Sequence, residues 1–210
     1  MVLIYLQAIG CVVFVVSSFA LGIWLKRHPS KKTAEITTRI MHFIMIITWV
    51  IPIGTGLTIL TEYDELLGMP PLPFSMISLV TGAVVMLVGV VFFVISIVVL
   101  LDRGEGLLAF ELTKKLAAKD IYKRTRNPMS LGFYLICIGL SLLGGSTFFI
   151  LWSLIVLIPV HVFFLKYFEE RELEIRFGDS YREYRRKVPF LIPSFRKSSE
   201  TELTDKNGDE

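Results

Sequence analysis

Residues 129–168 read MSLGFYLICIGLSLLGGSTFFILWSLIVLIPVHVFFLKYF, a block whose apolar character breaks at Gly144-Gly145-Ser146. A membrane crossing takes about twenty apolar residues, so this block is too long for one span and suits two. The break divides it into two helices, and the block reads as a transmembrane hairpin. Three further apolar blocks precede it, at residues 2–25, 40–60 and 76–101. With 53% hydrophobic residues and a mean hydropathy of +0.63, the pattern is that of an all-α integral membrane protein with about five transmembrane helices. A soluble core is excluded.

The first block lacks a basic stretch before its apolar run and continues past twenty residues without a cleavage-site pattern, so it is expected to be a retained helix. Orientation follows from the loops. The first carries Lys26, Arg27, Lys31, Lys32 and Arg39; the second carries Glu62, Asp64 and Glu65 and no basic residue. Basic loops stay in the cytoplasm. An N-terminus outside and a cytoplasmic C-terminal region satisfy every loop, including the Lys- and Arg-rich connection before residue 128. The expected organisation is three transmembrane helices in 1–101, a cytoplasmic interfacial connection in 102–128, the hairpin with a C-terminal catalytic, cofactor-binding region in 129–196, and a disordered tail in 197–210.

The formal net charge is +3, but the basic residues cluster at membrane boundaries, where they anchor helices and meet anionic lipid. No nucleic-acid partner is expected. Cys11 and Cys137 lie in apolar spans with no His or Cys at ligand spacing, so neither a metal site nor a disulfide framework is implied. Gly82, Gly89, Gly132 and Gly139 are small residues of the kind that let helices approach closely. Pro52 with Gly54 and Gly56 interrupts the second span, and 104–119 reads as a segment lying along the interface.

Chemistry concentrates at the two ends of the hairpin. Asn127-Pro128 alone is a helix-start signal, with asparagine as cap and proline in the first turn. Arg126 beside it, and Glu169-Glu170 at the end of the returning helix, exceed what a helix start requires, because charges near hydrocarbon are costly unless they bind something. A hairpin brings these ends together. The resulting pocket holds anion-binding groups and carboxylates, which suits a zwitterionic ligand such as a cofactor bearing an amino acid. His161, inside the fifth span, requires a polar partner there. Tyr181, Arg182, Tyr184, Arg185 and Arg186 read as an amphipathic helix at the membrane surface, tyrosines at headgroup depth and arginines toward phosphate.

The run Tyr122-Lys123-x-x-Arg126-Asn127-Pro128-Met129-x-x-Gly132 is followed by Glu169-Glu170-x-x-Leu173, Phe177-Gly178-x-x-Tyr181-x-x-Tyr184 and Val188-Pro189-x-x-Ile192-Pro193. This ordered set resembles the isoprenylcysteine carboxyl methyltransferase family, whose wider group includes phospholipid N-methyltransferases and small-thiol methyltransferases. The resemblance covers roughly the C-terminal ninety residues; before them only apolarity is shared. It implies a multi-span enzyme that transfers a methyl group from S-adenosylmethionine to a lipophilic or membrane-partitioned acceptor, foremost a carboxylate. Carried onto this chain, it implies that Tyr122, Arg126, Asn127, Pro128, Met129 and Gly132 form the cofactor-side motif. Glu169 and Glu170 would supply the paired carboxylates, and Arg126 with these two would carry catalysis by positioning. Many relatives have His at the place of Asn127, Tyr at Ser130 and Gly-Pro at Asp120-Ile121. The first change removes a titratable group. An NADPH-dependent membrane reductase of the sterol-reductase type shares an Arg-x-Pro motif, but Glu169-Glu170-x-x-Leu173 followed by Phe177-Gly178 favours the methyltransferase. A non-enzymatic scaffold would not require this ordered set.

Overall fold

A computed structural model of the chain describes residues 2–50, 62–73, 75–103, 116, 118 and 120–194. Among these residues every regular element is a helix. Helix α1 is Val2–Arg27; α2 is Lys31–Met45 and runs on as a π turn, Ile46–Val50; α3 is the short Glu62–Leu67; α4 is Met76–Arg103. A 3-10 turn, Asp120–Lys123, leads to α5, Pro128–Gly144. Helix α6 is Thr147–Phe177 and α7 is Asp179–Lys187. Three stretches are long and apolar enough to cross a membrane: Tyr5–Arg27, Met76–Asp102 and Thr147–Phe177. Pro128–Gly144 is a shorter apolar helix. The suspected kink at Pro52, most of segment 104–119 and the tail 197–210 lie outside the described residues.

Helix α2 begins well before the apolar block it contains. Ser30 is extended, and its hydroxyl accepts the Thr33 amide at 3.0 Å, filling a donor that the first helical turn leaves open. The polar first half of α2 still has an inward stripe, with Ala34, Thr37, Thr38 and Met41 buried at helical spacing. Hydropathy sees only the second half.

Helices α4 and α5 cross at backbone contact. A Cβ placed on Gly132 would lie 2.6 Å from the Phe93 amide nitrogen and 2.7 Å from the Gly89 carbonyl oxygen, distances no side chain can occupy. Gly82, Gly89 and Gly139 line the same crossing, so these glycines serve packing, as expected. Gly145 then ends α5 at φ 67°, a left-handed conformation that glycine takes without penalty. Ser146 caps the next helix by accepting the Phe149 amide at 3.1 Å.

Around this turn the connection 62–73, whose acidic residues the sequence analysis placed in the second loop, is tied to the hairpin. The buried Asp64 carboxylate accepts the Phe148 amide at 2.6 Å. The Leu72 amide donates to Gly145, and the Thr147 hydroxyl to Pro70. At the other side of the molecule, α1 packs on α6 through Phe14, Phe164 and Phe168, with neighbouring ring centroids 5.2 and 5.6 Å apart.

Helix α6 is not a plain α-helix. The Ile158 amide bonds back to the Ser153 carbonyl, and the Glu170 amide to the Leu165 carbonyl, each five residues away. Pro159, which has no amide donor, follows the first of these π turns. The second covers Leu165–Glu169. Such a turn holds one more residue than an α turn and re-aims every side chain after it. It stands immediately before Glu170.

Candidate functional site

The backbone ahead of α5 is fixed by the last described segment of the chain. Residues 124–127 lie along residues 189–194: the Arg126 amide donates to the Pro189 carbonyl at 2.9 Å, and the Ser194 amide to the Arg124 carbonyl at 3.0 Å. The fully buried Thr125 donates its hydroxyl to the Leu191 carbonyl at 2.8 Å. Tyr184, on α7, donates to the Tyr122 carbonyl at 2.8 Å. These bonds join the segment before α5 to the segment after α7 and set where Tyr122 and Arg126 stand.

Asn127 belongs to this seam and not to a helix cap. It occupies the cap position before Pro128, but its side chain makes no capping bond; Nδ2 donates to the Phe190 carbonyl at 2.9 Å. The proline explains why nothing is lost, since one of the open donors of the first turn is absent. An amide suits this place because it carries a donor at any pH.

Arg126 meets Glu170 across the mouth of the hairpin, Nη1 to Oε1 at 2.6 Å, with only 11% and 16% of the two side chains exposed. The contact is an ion pair without hydrogen-bond angles: Arg126 Nε and Nη1 and Glu170 Oε1 are each buried with no hydrogen-bond partner. Leaving such a group unfilled costs about 1–3 kcal/mol, and more for a charged one. Buried polar groups in folded proteins are otherwise almost always satisfied. Open donors and an open acceptor therefore face one another at a place that the surrounding hydrogen bonds hold still.

Three phenols border this pair. Burial pushes the Tyr122 phenol above its ordinary pKa, and the Glu169 carboxylate adds to the shift. Burial does the same for Tyr181, with Glu170 adding and Arg126 opposing. Tyr184 is raised by burial first and then by Tyr122. All three stay protonated; Tyr184 donates to the Tyr122 carbonyl, while the Tyr181 oxygen takes a hydrogen bond from Arg126. Glu169 makes no ion pair among the described residues, and its charge falls on Tyr122 and Tyr181. The two adjacent carboxylates are thus unlike in one respect: Glu170 is paired with a guanidinium and Glu169, among the described residues, is not. Tyr181 and Tyr184 are buried within the protein with Leu173, Phe177 and Leu116, while Arg182, Arg185 and Arg186 of the same helix are exposed, as an amphipathic helix requires.

Of the remaining expected residues, Pro128 is buried at the start of α5 and Met129 is half-buried beside it. Gly132 is buried against α4 and takes part in helix packing. His161 receives its polar contact from a neighbouring helix, Tyr134 Oη to Nδ1 at 2.8 Å. The sequence reading passed over Thr125, Phe190 and the buried pair Glu172–Arg176, joined at 2.7 Å with side chains 2% and 9% exposed. Glu172 and Arg176 stand four residues apart on α6, a spacing visible in the sequence. Nothing there marked the pair as buried.

Residues 77–180 match the sequence model of the phospholipid methyltransferase family. The match begins in α4 and takes in the Arg126 segment, α5, α6 and the start of α7. Over 74 residues the chain is 35% identical to methanethiol S-methyltransferase 2 of Bradyrhizobium diazoefficiens, which covers 35% of this chain and 27% of that protein. The chain thus spans about a quarter of the length of the curated relative it matches. No solved structure matches it.

Proposed function

We propose that this chain, whose residues 77–180 match the phospholipid methyltransferase family, is a membrane methyltransferase that methylates the carboxylate of a lipophilic, membrane-partitioned acceptor, using S-adenosylmethionine. One observation carries the reading: Arg126 and Glu170 oppose each other, buried, each with polar atoms lacking a hydrogen-bond partner. That donor and acceptor set fits a zwitterion, Arg126 receiving a carboxylate and Glu170 an ammonium group. Glu169 adds a second acceptor among protonated phenols, able to take a sugar hydroxyl or share the ammonium.

Arg126 and Glu170 would hold S-adenosylmethionine, which when bound would supply an electrophilic methyl group to the acceptor carboxylate, giving an ester and a thioether. No proton moves, so the residues need only bind, align and exclude water. Asn127 fits that requirement, since its amide holds the Phe190 carbonyl and takes no proton. Tyr122 and Tyr181, held neutral by burial, line the site without adding charge. The site lies at the bundle end that carries Lys26, Arg27, Lys31 and Lys32; the distribution of basic residues supports its being the cytoplasmic face of a multi-pass protein, where the cofactor is supplied.

The relative's name supports a second acceptor, a small thiol. A thiol must lose a proton, and neither Asn127 nor the Tyr134-bound His161 offers an obvious base, which favours the carboxylate. Titration calorimetry on the detergent-purified protein with S-adenosylmethionine, S-adenosylhomocysteine and NADPH tests the reading. Saturable binding of the first two and none of the third is expected. Binding of NADPH alone would overturn it.

A further inference from the structure

One cation at the site has no anion. Lys166 lies in the π turn Leu165–Glu169, between Phe163, Phe164, Leu165 and Tyr167, Phe168, and is exposed. Glu170 stands four residues on, in the less favourable order for a lysine and a glutamate, and it is committed to Arg126. Among the described residues Lys166 pairs with no carboxylate. Its ammonium instead stands 4.8 Å from the centroid of the Phe190 ring, and the Arg126 guanidinium stands 5.6 Å from the same centroid.

An anchoring lysine at a span end extends its chain toward water and headgroup phosphate. Lys166 does not: its charge is turned onto a ring that the site itself fixes, since the Phe190 carbonyl takes the Asn127 amide. A ring contact at an exposed position supplies only about 0.5–1 kcal/mol, less than a charge-assisted bond to an anion would add. Arg126 and Lys166 are therefore two cations at one ring, of which one is neutralised and the other is not. Glu169 pairs with neither.

From this we propose that Lys166 is the acceptor-recognition residue: its ammonium, placed by Phe190 at the membrane-facing edge of the Arg126–Glu170 site, binds the oxyanion of a membrane-partitioned acceptor. The oxyanion is a carboxylate or a phosphodiester, and an uncharged acceptor of the same chain length is discriminated against. This inference rests on the reading above for what happens at the site, but its binding step is separable from methyl transfer.

Dodecanoate and dodecanol are titrated into protein in an uncharged maltoside, for the native chain, Lys166→Gln and Lys166→Arg. The expected result is saturable dodecanoate binding, about tenfold weaker in Lys166→Gln and restored in Lys166→Arg, as for the loss of one charge-assisted contact. Dodecanol binds all three alike and more weakly than dodecanoate binds the native chain. Equal dodecanoate affinity in the native chain and Lys166→Gln overturns the proposal, as does native protein that prefers dodecanol. Methyl transfer then identifies the source of the oxyanion. A raised KM in Lys166→Gln for a free S-prenylated N-acetylcysteine assigns the carboxylate, and a raised KM for phosphatidylethanolamine in mixed micelles assigns the phosphodiester. S-adenosylmethionine binding by the same samples separates the two readings: its absence from native protein defeats the methyltransferase chemistry, while the dodecanoate result still decides Lys166.

Discussion

The two ends of α5 are built on opposite principles. From Gly132 onward the helix meets α4 with backbone against backbone, and a single added carbon would collide with main-chain atoms. Ahead of Pro128 the contacts are side chain to carbonyl and charge to charge, and some buried polar atoms have no partner at all. The first end is complete in itself. The second, on the reading proposed above, is completed by a bound ligand, and on that reading the difference separates what holds the fold from what performs the chemistry. Changes at the first end should remove the fold and the function together, whereas changes at the second should remove binding and leave the fold.

Gly132→Val puts that distinction under the heaviest load. The atoms its Cβ would meet are the Phe93 nitrogen and Cα and the Gly89 carbonyl, none of which can turn aside as a side chain does. Overpacking of this kind costs about 1–3 kcal/mol and can cost more, and here the upper end is expected. Thermal unfolding in detergent should show a large fall in Tm, with ligand binding lost alongside. A variant with native Tm would show that α4 and α5 part without cost and would end the comparison.

Next comes the double variant Arg126→Met with Glu170→Met. Replacing a buried ion pair by apolar residues of similar volume is often neutral or stabilising, so Tm should hold or rise slightly. S-adenosylmethionine affinity should fall about a hundredfold, equivalent to ~2.7 kcal/mol. The single Arg126→Met should lower Tm by more than the double, because it leaves Glu170 buried without a counter-charge. If the double variant had a much lower Tm while its folded fraction bound S-adenosylmethionine with native affinity, the two ends of α5 would have their roles reversed.

Much of this division was legible before the structure. The apolar block 129–168, its break at Gly144-Gly145-Ser146 and the charges at its ends are one-dimensional signals, and Gly145 at φ 67° with Arg126 against Glu170 are their outcomes. What stayed hidden has a common cause, which is that it depends on geometry between segments or on helix register. The π turn at Leu165–Glu169 has no composition of its own, and nothing in the sequence showed that Arg126, and not Lys166, would take Glu170. The inward side of α7 escaped notice because tyrosines beside arginines read equally well as a membrane-surface face; only the bond from Tyr184 to the Tyr122 carbonyl shows which way they turn. Asp64 looked like one acid in an acidic loop, and its role as acceptor for the Phe148 amide requires the two segments to be brought together.

Asn127→Ala makes the comparison finer, because Asn127 is a site residue whose contact is structural. Losing the bond from Nδ2 to the Phe190 carbonyl should cost about 1 kcal/mol of stability. It should also free the ring that carries both cations, so dodecanoate affinity is expected to fall about threefold, less than for Lys166→Gln. Measuring Tm and dodecanoate binding on one preparation checks both. An Asn127→Ala protein with unchanged stability would mean that the seam between residues 124–127 and 189–194 is held by its backbone bonds alone.

The smallest effect lies at Asp120, where the approach to the site depends on backbone conformation with no packing partner involved. Asp120 opens the 3-10 turn before the motif at φ 52°, the one non-glycine residue with a left-handed backbone among the described residues. Asp tolerates that region better than most side chains, and relatives that place Gly there avoid the penalty altogether. Asp120→Gly gains the relief of that strain but adds freedom to the unfolded chain, which offsets roughly 0.5–1 kcal/mol of it; the net change should stay within about 0.5 kcal/mol. Asp120→Ala has no such compensation and should lose roughly 1 kcal/mol, the usual cost of holding an L side chain in the left-handed region. If Ala and Gly variants melted together, the turn would be free to relax to negative φ, and the position of Tyr122 would rest on the Tyr184 bond alone.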